Sequence, residues 1–299
     1  MKKFKKRILI VGSGDIALRA IPWLARRFHV LALIRRPETA AHLRTLGVTP
    51  LPGNLDSRSS LIRYAGIADA ILHCAPPPGE GTRDQRTRNL LAALACRRSL
   101  PQRMVYISTT GVYGNQAGKW VDENTPLRPQ SLRAQRRVDA ESVLRAFGIR
   151  TRTTITFLRA PGIYAADRLP LERLRRQDPV LHADEDSYTN HIHADDLAYL
   201  TCLALFRGRP GRAINATDDS DIQMGAWFDA VADTFHLPRP PRQTRQEIVQ
   251  HLSPAMQSFM NESRRIKNHR MKHELRARLR YPTISDGLHH AARHHSLHT

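Results

Sequence analysis

Residues 7–17 read RILIVGSGDIA, an apolar run that stops at a pair of glycines. Residues 7–11 are rich in branched apolar side chains, which predicts a buried strand. The apolar positions that follow, up to about Phe28, recur at helical spacing. Gly12 and Gly14 therefore lie at the turn between a strand and a helix, where a backbone without Cβ atoms lets a ligand come close to the amide groups.

The spacing Gly12-x-Gly14-x-x-Ala17 matches the phosphate-binding fingerprint of dinucleotide-binding folds. The small Ala17 allows the helix to pack closely on the strand. The sequence therefore predicts dinucleotide binding, with a plain tight turn as the alternative. The residues assigned to this turn are Gly12, Ser13, Gly14, Asp15 and Ile16.

Two arginines end the next predicted strand, residues 30–34, and they bear on the choice of dinucleotide. Arg35 and Arg36 lie about twenty residues after the glycines. An acidic residue here would bind the ribose diol of NAD, whereas a guanidinium group matches the 2′-phosphate of NADP. We expect NADP or NAD as cofactor, with NADP favoured. The alternative is that an arginine-rich chain places two arginines here without such a role.

Short apolar runs and helical stretches alternate through the first half of the chain. Further strands are predicted at residues 50–51, 70–74, 104–108 and 153–158. Right-handed crossovers between such strands produce an α/β fold with a doubly wound parallel sheet, the Rossmann architecture.

The alternation loosens beyond residue 159, which predicts a smaller, mostly helical C-terminal substrate lobe. Its expected helices cover residues 169–176, 224–235 and 266–279, and the histidine-rich C-terminus is expected to be frayed and solvated. We expect residues 1–165, with 191–218 returning to them, to form the nucleotide-binding domain. Residues 166–190 and 219–299 are expected to form the substrate-binding lobe.

The 299-residue chain carries 47 basic against 27 acidic side chains, a net charge of +20. Such a charge attracts anions and phosphorylated ligands. The basic residues are spread along the chain, and no zinc finger, RNA-recognition strand pair or leucine zipper accompanies them. We therefore expect no specific nucleic-acid partner, and association with nucleic acid on charge alone is the alternative.

Cysteine usage and apolar patterning exclude other classes of protein. Cys74, Cys96 and Cys202 are far apart and odd in number, which fits neither a disulfide framework nor a metal site. No apolar run approaches the ~20 residues that cross a bilayer. We expect a cytoplasmic protein with a small-molecule substrate, no membrane association and no metal, and homodimerisation is an open alternative.

Several further motifs follow in a fixed order. They are Gly53-Asn54-Leu55-Asp56, Ala75-Pro76-Pro77, Ile107-Ser108-Thr109-Thr110-Gly111-Val112-Tyr113-Gly114, Leu158-Arg159-Ala160-Pro161-Gly162-Ile163-Tyr164, the stretch 191–198 and Tyr281-Pro282. With the glycine turn, they make the chain resemble the extended short-chain dehydrogenase/reductases, within them the atypical branch of the NAD-dependent epimerase/dehydratase family. The resemblance covers nearly the whole length.

This resemblance implies an NAD(P)-binding oxidoreductase or epimerase/dehydratase-like protein that acts on a small sugar-like or anionic substrate. Asn54 stands where many relatives have Asp beside the adenine. The further cofactor-binding residues that the resemblance implies are Asn54, Leu55, Ala75, Pro76, Pro77, Ser108, Pro161, Gly162 and Ile163.

Catalysis in this family needs a Ser or Thr, together with a Tyr and a Lys four residues apart on the following helix. Thr109 matches the first position. When Glu141 is aligned with the family's glutamate, Arg133 stands in the Tyr position and Arg137 in the Lys position, and no Tyr-x-x-x-Lys occurs in the chain. The resemblance thus marks Thr109, Arg133 and Arg137 as a degenerate catalytic set, with Tyr113 as a further candidate.

The replacement of Tyr by Arg changes the chemistry. Guanidinium does not release its proton at working pH, so Arg133 is no general acid. Arginines one helical turn apart share a face and can bind a carboxylate or phosphate or stabilise an oxyanion. Substitute proton donors are Tyr113, Tyr164 and His193, each with a purely structural role as the alternative. The alternative function is a catalytically silent NAD(P)-binding sensor or regulatory protein.

Overall fold

The structure, a computed structural model, describes residues 5–97, 99–249 and 262–295. Its strands are β1 Arg7–Val11, β2 His29–Ile34, β3 Thr49–Pro52, β4 Ala70–His73, β5 Arg103–Thr109, β6 Trp120–Val121, β7 Thr154–Ala160, β8 Gly162–Tyr164, β9 Val180–Leu181, β10 Tyr188–Thr189, β11 His191–His193, β12 Arg212–Asn215, β13 Ile222–Gln223, β14 Arg242–Gln243 and β15 Arg265–Ile266. Its helices are α1 Asp15–Ala25, α2 Thr39–Thr45, α3 Arg58–Ile62, α4 Gln85–Leu94, α5 Leu132–Thr151, α6 Leu171–Arg175, α7 Ala194–Arg207, α8 Met224–Thr234, α9 Arg245–Val249, α10 His269–Glu274 and α11 Ile284–His295.

Seven strands form one parallel sheet in the order β12-β7-β5-β4-β1-β2-β3. The strand order reverses between β1 and β4, so the carboxyl ends of these two strands border the crevice in which open α/β sheets bind ligands. The predicted doubly wound Rossmann fold is confirmed. The edge strand β12 was not predicted, because four residues carry too little alternation to be recognised before their partner β7 is known.

Strand β1 is buried on both faces, which explains its continuous apolar sequence. Ile8 and Ile10 belong to a cluster with α1 and α7 on one face of the sheet. Leu9 and Val11 belong to the cluster on the other face, where α4 and α5 pack. Each fully buried Ile or Leu stabilises the fold by about 1.5–3 kcal/mol, so this strand holds both layers in place.

The C-terminal region differs from the prediction at two points. Residues 266–279 do not form one helix, because Ile266 pairs with Val121 in a short parallel ladder and only α10 is helical. The histidine-rich end is not frayed along residues 284–293, since Leu288 on α11 is 1% exposed and packs in a cluster with Tyr164 and Trp227. Residues 296–299 lie outside the described residues.

A buried carboxyl group, Asp218, follows β12. Its Oδ1 accepts a hydrogen bond of 3.0 Å from the Ser220 amide, and its Oδ2 has no partner among the described residues. Burial raises the pKa of Asp218 to about 8, against the opposing effect of the Ser220 hydrogen bonds. Because this pKa is raised on folding, the native state binds the extra proton. Its stability therefore falls as the pH rises from 3.8 to about 8.

Asp218→Asn is expected to remove this part of the pH dependence, since the amide carries no charge to bury. The free energy of unfolding, measured in urea, should rise relative to the wild type as the pH goes from about 4 to about 8. Asp184→Asn, at an exposed position, makes the same charge change and should show the same pH dependence of stability as the wild type. If the free energy of unfolding varied with pH in the same way for Asp218→Asn and the wild type, the raised pKa would not belong to Asp218.

Candidate functional site

The glycine turn lies between β1 and α1, and its two glycines differ in their steric surroundings. Gly12 has a φ of +91°, and a Cβ built on it would lie 2.4 Å from the Ala75 nitrogen. Gly14 caps α1 in an extended conformation without a side-chain cap, and a Cβ there would meet nothing within 4 Å. Open space therefore lies beside the first amides of α1, which is what a pyrophosphate at a helix N-terminus requires.

The cavity beside this turn, which we call the cofactor cavity, has a volume of about 280 Å³. It lies at the carboxyl ends of β1 and β2 and includes the loops after β3 and β4. Of the predicted cofactor residues it brings together Gly12, Ser13, Gly14, Arg35, Arg36, Asn54, Leu55, Ala75 and Pro76. The residues present thus fit a dinucleotide with its phosphates on the glycine turn.

Other predicted cofactor residues do not line this cavity. The Asp15 carboxylate accepts hydrogen bonds of 2.7 Å from Arg19 and 3.1 Å from Arg168. Ile16, in the first turn of α1, is buried in the core. The Pro77 carbonyl accepts a hydrogen bond of 3.3 Å from Arg86.

Arg86 on α4 lines the cofactor cavity, although sequence reasoning did not single it out. Its guanidinium donates two hydrogen bonds to the Asp56 carboxylate, at 2.7 and 3.0 Å, and lowers the pKa of Asp56. It also donates to the Pro77 carbonyl, so it joins the loops after β3 and β4. Nothing in the sequence distinguishes Arg86 from the many other arginines, because its role depends on two loops that are distant in the chain.

A second cavity, which we call the substrate cavity, has a volume of about 420 Å³. It lies at the carboxyl ends of β5 and β7 and is bordered by α5, β10 and residues 262–264. It brings together the predicted residues Ser108, Thr109, Arg133, Arg137, Pro161, Gly162 and Ile163. Sequence reasoning missed several of its other lining residues, among them Arg168, Tyr188, Glu262 and Arg264.

Arg137 is held by the end of β5. Its Nη1 donates to the Tyr106 hydroxyl at 2.9 Å and to the Ile107 carbonyl at 2.7 Å. The Thr109 hydroxyl oxygen accepts a hydrogen bond of 3.2 Å from the Gly111 amide. A hydroxyl that accepts this bond can still donate its own hydrogen to a ligand oxygen in the cavity.

The substrate cavity carries an excess of positive charge. Arg133, Arg137, Arg168 and Arg264 line it, whereas Glu262 brings a carboxylate that pairs with Arg264 at 2.8 Å. Burial lowers the pKa of Arg133, and the nearby Arg137 and Arg264 lower it further. Glu262 has the opposite effect and raises it. An anionic ligand group would relieve this repulsion, so the cavity suits a carboxylate or phosphate.

A buried polar network lies beneath the substrate cavity. The Ser108 hydroxyl donates to the Glu141 carboxylate at 2.7 Å, and Arg159 donates two hydrogen bonds to the same carboxylate at 3.0 and 2.7 Å. Arg159 also donates to the Tyr113 hydroxyl at 2.9 Å, and that hydroxyl donates to Asn215 at 2.7 Å. The hydroxyl group of Ser108 therefore faces Glu141.

Tyr113 belongs to this network and does not line the cavity. It is 0% exposed, and burial raises its pKa to about 12. Its hydroxyl is already engaged with Arg159 and Asn215. These contacts favour the structural alternative for Tyr113.

The two other candidate proton donors also lie outside the cavity lining. The Tyr164 hydroxyl donates to the Thr283 carbonyl at 3.3 Å, and its ring packs against Trp227 at 5.4 Å. His193 accepts a hydrogen bond of 3.2 Å from the Asp195 amide and so caps α7. Their contacts favour the structural alternative for both residues.

Within the described ranges, no group of three or more His, Cys, Asp or Glu side chains is placed to hold a metal ion. None of the described helices has the length and apolarity needed to cross a bilayer.

Comparison with known proteins gives three informative similarities. A curated 4-hydroxy-2-methyl-3-oxo-4-farnesyl-3,4-dihydroquinoline-1-oxide ketoreductase from Stigmatella aurantiaca is 29% identical over 241 residues, which cover 75% of this chain and 71% of that protein. A conserved protein of unknown function from Silicibacter pomeroyi superposes with a TM-score of 0.82 at 27% identity, over 97% of this chain and 99% of the other. The dTDP-glucose 4,6-dehydratase of Bacillus anthracis, solved in complex with NAD, superposes with a TM-score of 0.75 at 16% identity, over 98% and 97% of the two chains.

The sequence model of a family described as NAD(P)H-binding matches residues 12–204, which is more than half of the chain. The match begins at the glycine turn and ends within α7, so it includes β2, β3, β4, β5 and β7 of the sheet. The chain therefore belongs to the NAD(P)H-binding family, with the fold of the NAD-dependent epimerases and dehydratases of the extended short-chain dehydrogenase/reductase class.

Proposed function

We propose that the protein is an NAD(P)H-dependent ketoreductase that acts on a small anionic or sugar-like substrate. The observation that carries the proposal is the substrate cavity, where Thr109, Arg133 and Arg137 lie together with the turn 161–163. When bound, the reduced nicotinamide supplies a hydride to a carbonyl carbon. The ketoreductase activity named for the relative from Stigmatella aurantiaca supports this type of reaction.

Each part of the chain has a defined task in this proposal. The turn 12–14 would hold the pyrophosphate, and residues 161–163 would border the nicotinamide. Thr109 donates its hydroxyl hydrogen to the substrate oxygen, and Arg133 binds an anionic substituent of the substrate. Arg137, held by β5, places a positive charge where an oxyanion develops.

The proposal also assigns tasks to the two parts of the chain predicted from sequence. Residues 1–165 and 191–218 bind the cofactor, and residues 166–190 and 219–299 cover the substrate. The lining contributed by Arg168, Met224 and Arg264 supports this division.

A ketone panel tests the function. The purified chain is incubated with NADPH or NADH and with 2-oxo acids, keto phosphates, keto sugars and neutral ketones. We expect cofactor oxidation with anionic ketones, and Arg133→Gln should raise KM for these more than for neutral ketones. Cofactor binding without oxidation by any ketone would favour the catalytically silent sensor, the function to which the missing Tyr-x-x-x-Lys points.

The proposed preference for NADP over NAD depends on Arg35 and Arg36, both exposed at the cofactor cavity. The double variant Arg35→Gln/Arg36→Gln is expected to weaken NADPH binding at least about tenfold, since a hydrogen bond to a charged group contributes about 1.5–3 kcal/mol and exposure reduces it. NADH binding should change less than about twofold, because NADH lacks the 2′-phosphate. Calorimetric titration measures both.

The matched control is Arg26→Gln/Arg27→Gln, which removes two adjacent exposed arginines near the end of α1. It should leave the binding of both cofactors unchanged. Equal losses for NADPH and NADH in the Arg35→Gln/Arg36→Gln variant would overturn the proposed NADP preference.

The expectations of a cytoplasmic location, a homodimer and no specific nucleic-acid partner stay predictions. Light scattering measures the oligomeric state, and a duplex-DNA titration at physiological salt measures nucleic-acid binding.

A further inference from the structure

The proposed reduction needs a proton for the substrate oxygen, and the cavity restricts its source. Arginine does not release a proton at working pH. The Ser108 hydroxyl already donates to Glu141, and Glu262 pairs with Arg264 at 2.8 Å. Of the described residues that line the substrate cavity, Tyr188 is the one phenol.

The ring of Tyr188 is held between two neighbours. The Arg265 guanidinium lies 4.6 Å from the ring centroid, and a Cβ built on Gly118 would come within 3.3 Å of the ring. The Tyr188 amide donates to the Ser263 hydroxyl at 3.0 Å, which holds the backbone. Within the described part of the chain, the phenol hydroxyl has no hydrogen-bond partner, so it can donate to a ligand.

Strand pairing places the backbone of residues 188–190 near the predicted nicotinamide position. Directly after β10, the strand β11 pairs with β8 so that His191 lies opposite Gly162. The Gly162 amide donates to the Asn190 carbonyl at 3.1 Å. Residues 188–190 and the turn 161–163 therefore border the same cavity.

We propose that Tyr188 is the catalytic acid, in place of the tyrosine that the family carries on the helix equivalent to α5. This inference rests on the proposed ketone reduction. As the carbonyl carbon accepts the hydride, the electron pair of the C=O bond moves to oxygen, which takes the proton of the Tyr188 hydroxyl. The tyrosinate then regains a proton from water, so the protein ends each cycle unchanged.

Tyr188→Phe tests the proposal, because Phe keeps the ring between Arg265 and Gly118 and removes only the hydroxyl. On the panel ketone with the highest kcat/KM, kcat should fall by about 10²–10⁴, the usual contribution of a positioned acid. Calorimetric NADPH affinity should change less than about twofold. Tyr199→Phe, which alters a 39% exposed tyrosine on α7, should retain wild-type kcat.

A second readout does not depend on turnover. The carbonyl stretching band of the same ketone, isotope-labelled and bound to the protein, is recorded by infrared difference spectroscopy. Hydrogen bonding from Tyr188 should shift this band to lower frequency in the wild type and in Tyr199→Phe, and the shift should be reduced in Tyr188→Phe.

The outcomes separate this proposal from the proposed function. A wild type that reduces ketones, with a Tyr188→Phe variant of equal kcat and equal carbonyl band, overturns the role of Tyr188 and leaves the ketoreductase function standing. A wild type that oxidises no cofactor with any ketone overturns both. A large loss of kcat together with the loss of the band shift supports Tyr188 as the acid.

Discussion

Gly12→Ala is expected to lower the free energy of unfolding by about 2–4 kcal/mol, because the new Cβ would lie 2.4 Å from the Ala75 nitrogen at a φ of +91°. The clash is with the backbone of Ala75, just after β4, which cannot rotate away as the end of a side chain would. Urea unfolding measures the loss. Cofactor binding should fall together with stability, since the turn and the loop after β4 would move apart.

Gly14→Ala is the matched variant, and it should weaken cofactor binding while changing stability little. A Cβ on Gly14 meets no protein atom within 4 Å and its backbone is extended, so the loss of stability should stay at about 1 kcal/mol or less, the cost of alanine at an N-cap. The methyl group would enter the space proposed for the pyrophosphate, so calorimetric affinity for NADPH should fall at least about tenfold. A Gly14→Ala protein that binds NADPH as the wild type does would place the phosphates elsewhere.

Glu141→Leu is expected to lower the free energy of unfolding by about 3–5 kcal/mol, the usual loss when one partner of a buried ion pair is removed. Glu141 and Arg159 are 1% and 3% exposed, so the variant leaves the guanidinium buried without its carboxylate. The double variant Glu141→Leu/Arg159→Leu should be less destabilised than the sum of the single variants. Glu38→Leu, at an exposed position, should change stability little.

The same carboxylate makes stability depend on pH. Burial raises the pKa of Glu141, but the hydrogen bonds from Arg159 outweigh burial and hold the pKa below its usual value of 4.5. A pKa lowered on folding gives stability that is present above pH 4.5 and is lost as the pH falls through the native pKa. Glu141→Leu should not lose this stability at acid pH. If its stability fell with pH as that of the wild type does, the acid dependence would not come from Glu141.

Proton-donor candidates show where reasoning from residue type stops. Tyr113, Tyr164 and His193 all occur in motifs at the carboxyl ends of strands, and the motif does not reveal which way a side chain points. Tyr113 turns into the core to meet Arg159 and Asn215. Tyr188 begins the two-residue strand β10, which no motif marks in the sequence. Only the pairing of the next strand, β11, with β8 brings it beside the turn 161–163.

The sequence alone predicts three features of this protein. They are the strand–turn–helix at residues 7–25, the alternation that builds the parallel sheet and the spacing of Arg133 and Arg137. They depend on local properties: the period of apolar residues, the backbone freedom of glycine and the pitch of a helix. The chain alone does not reveal three other features. They are the hydrogen bonds of Arg86 with Asp56, the buried pair of Glu141 with Arg159 and the substrate-cavity wall of residues 262–264. Each joins segments far apart in sequence, and their contacts exist only after the sheet, its helices and the C-terminal region have packed together.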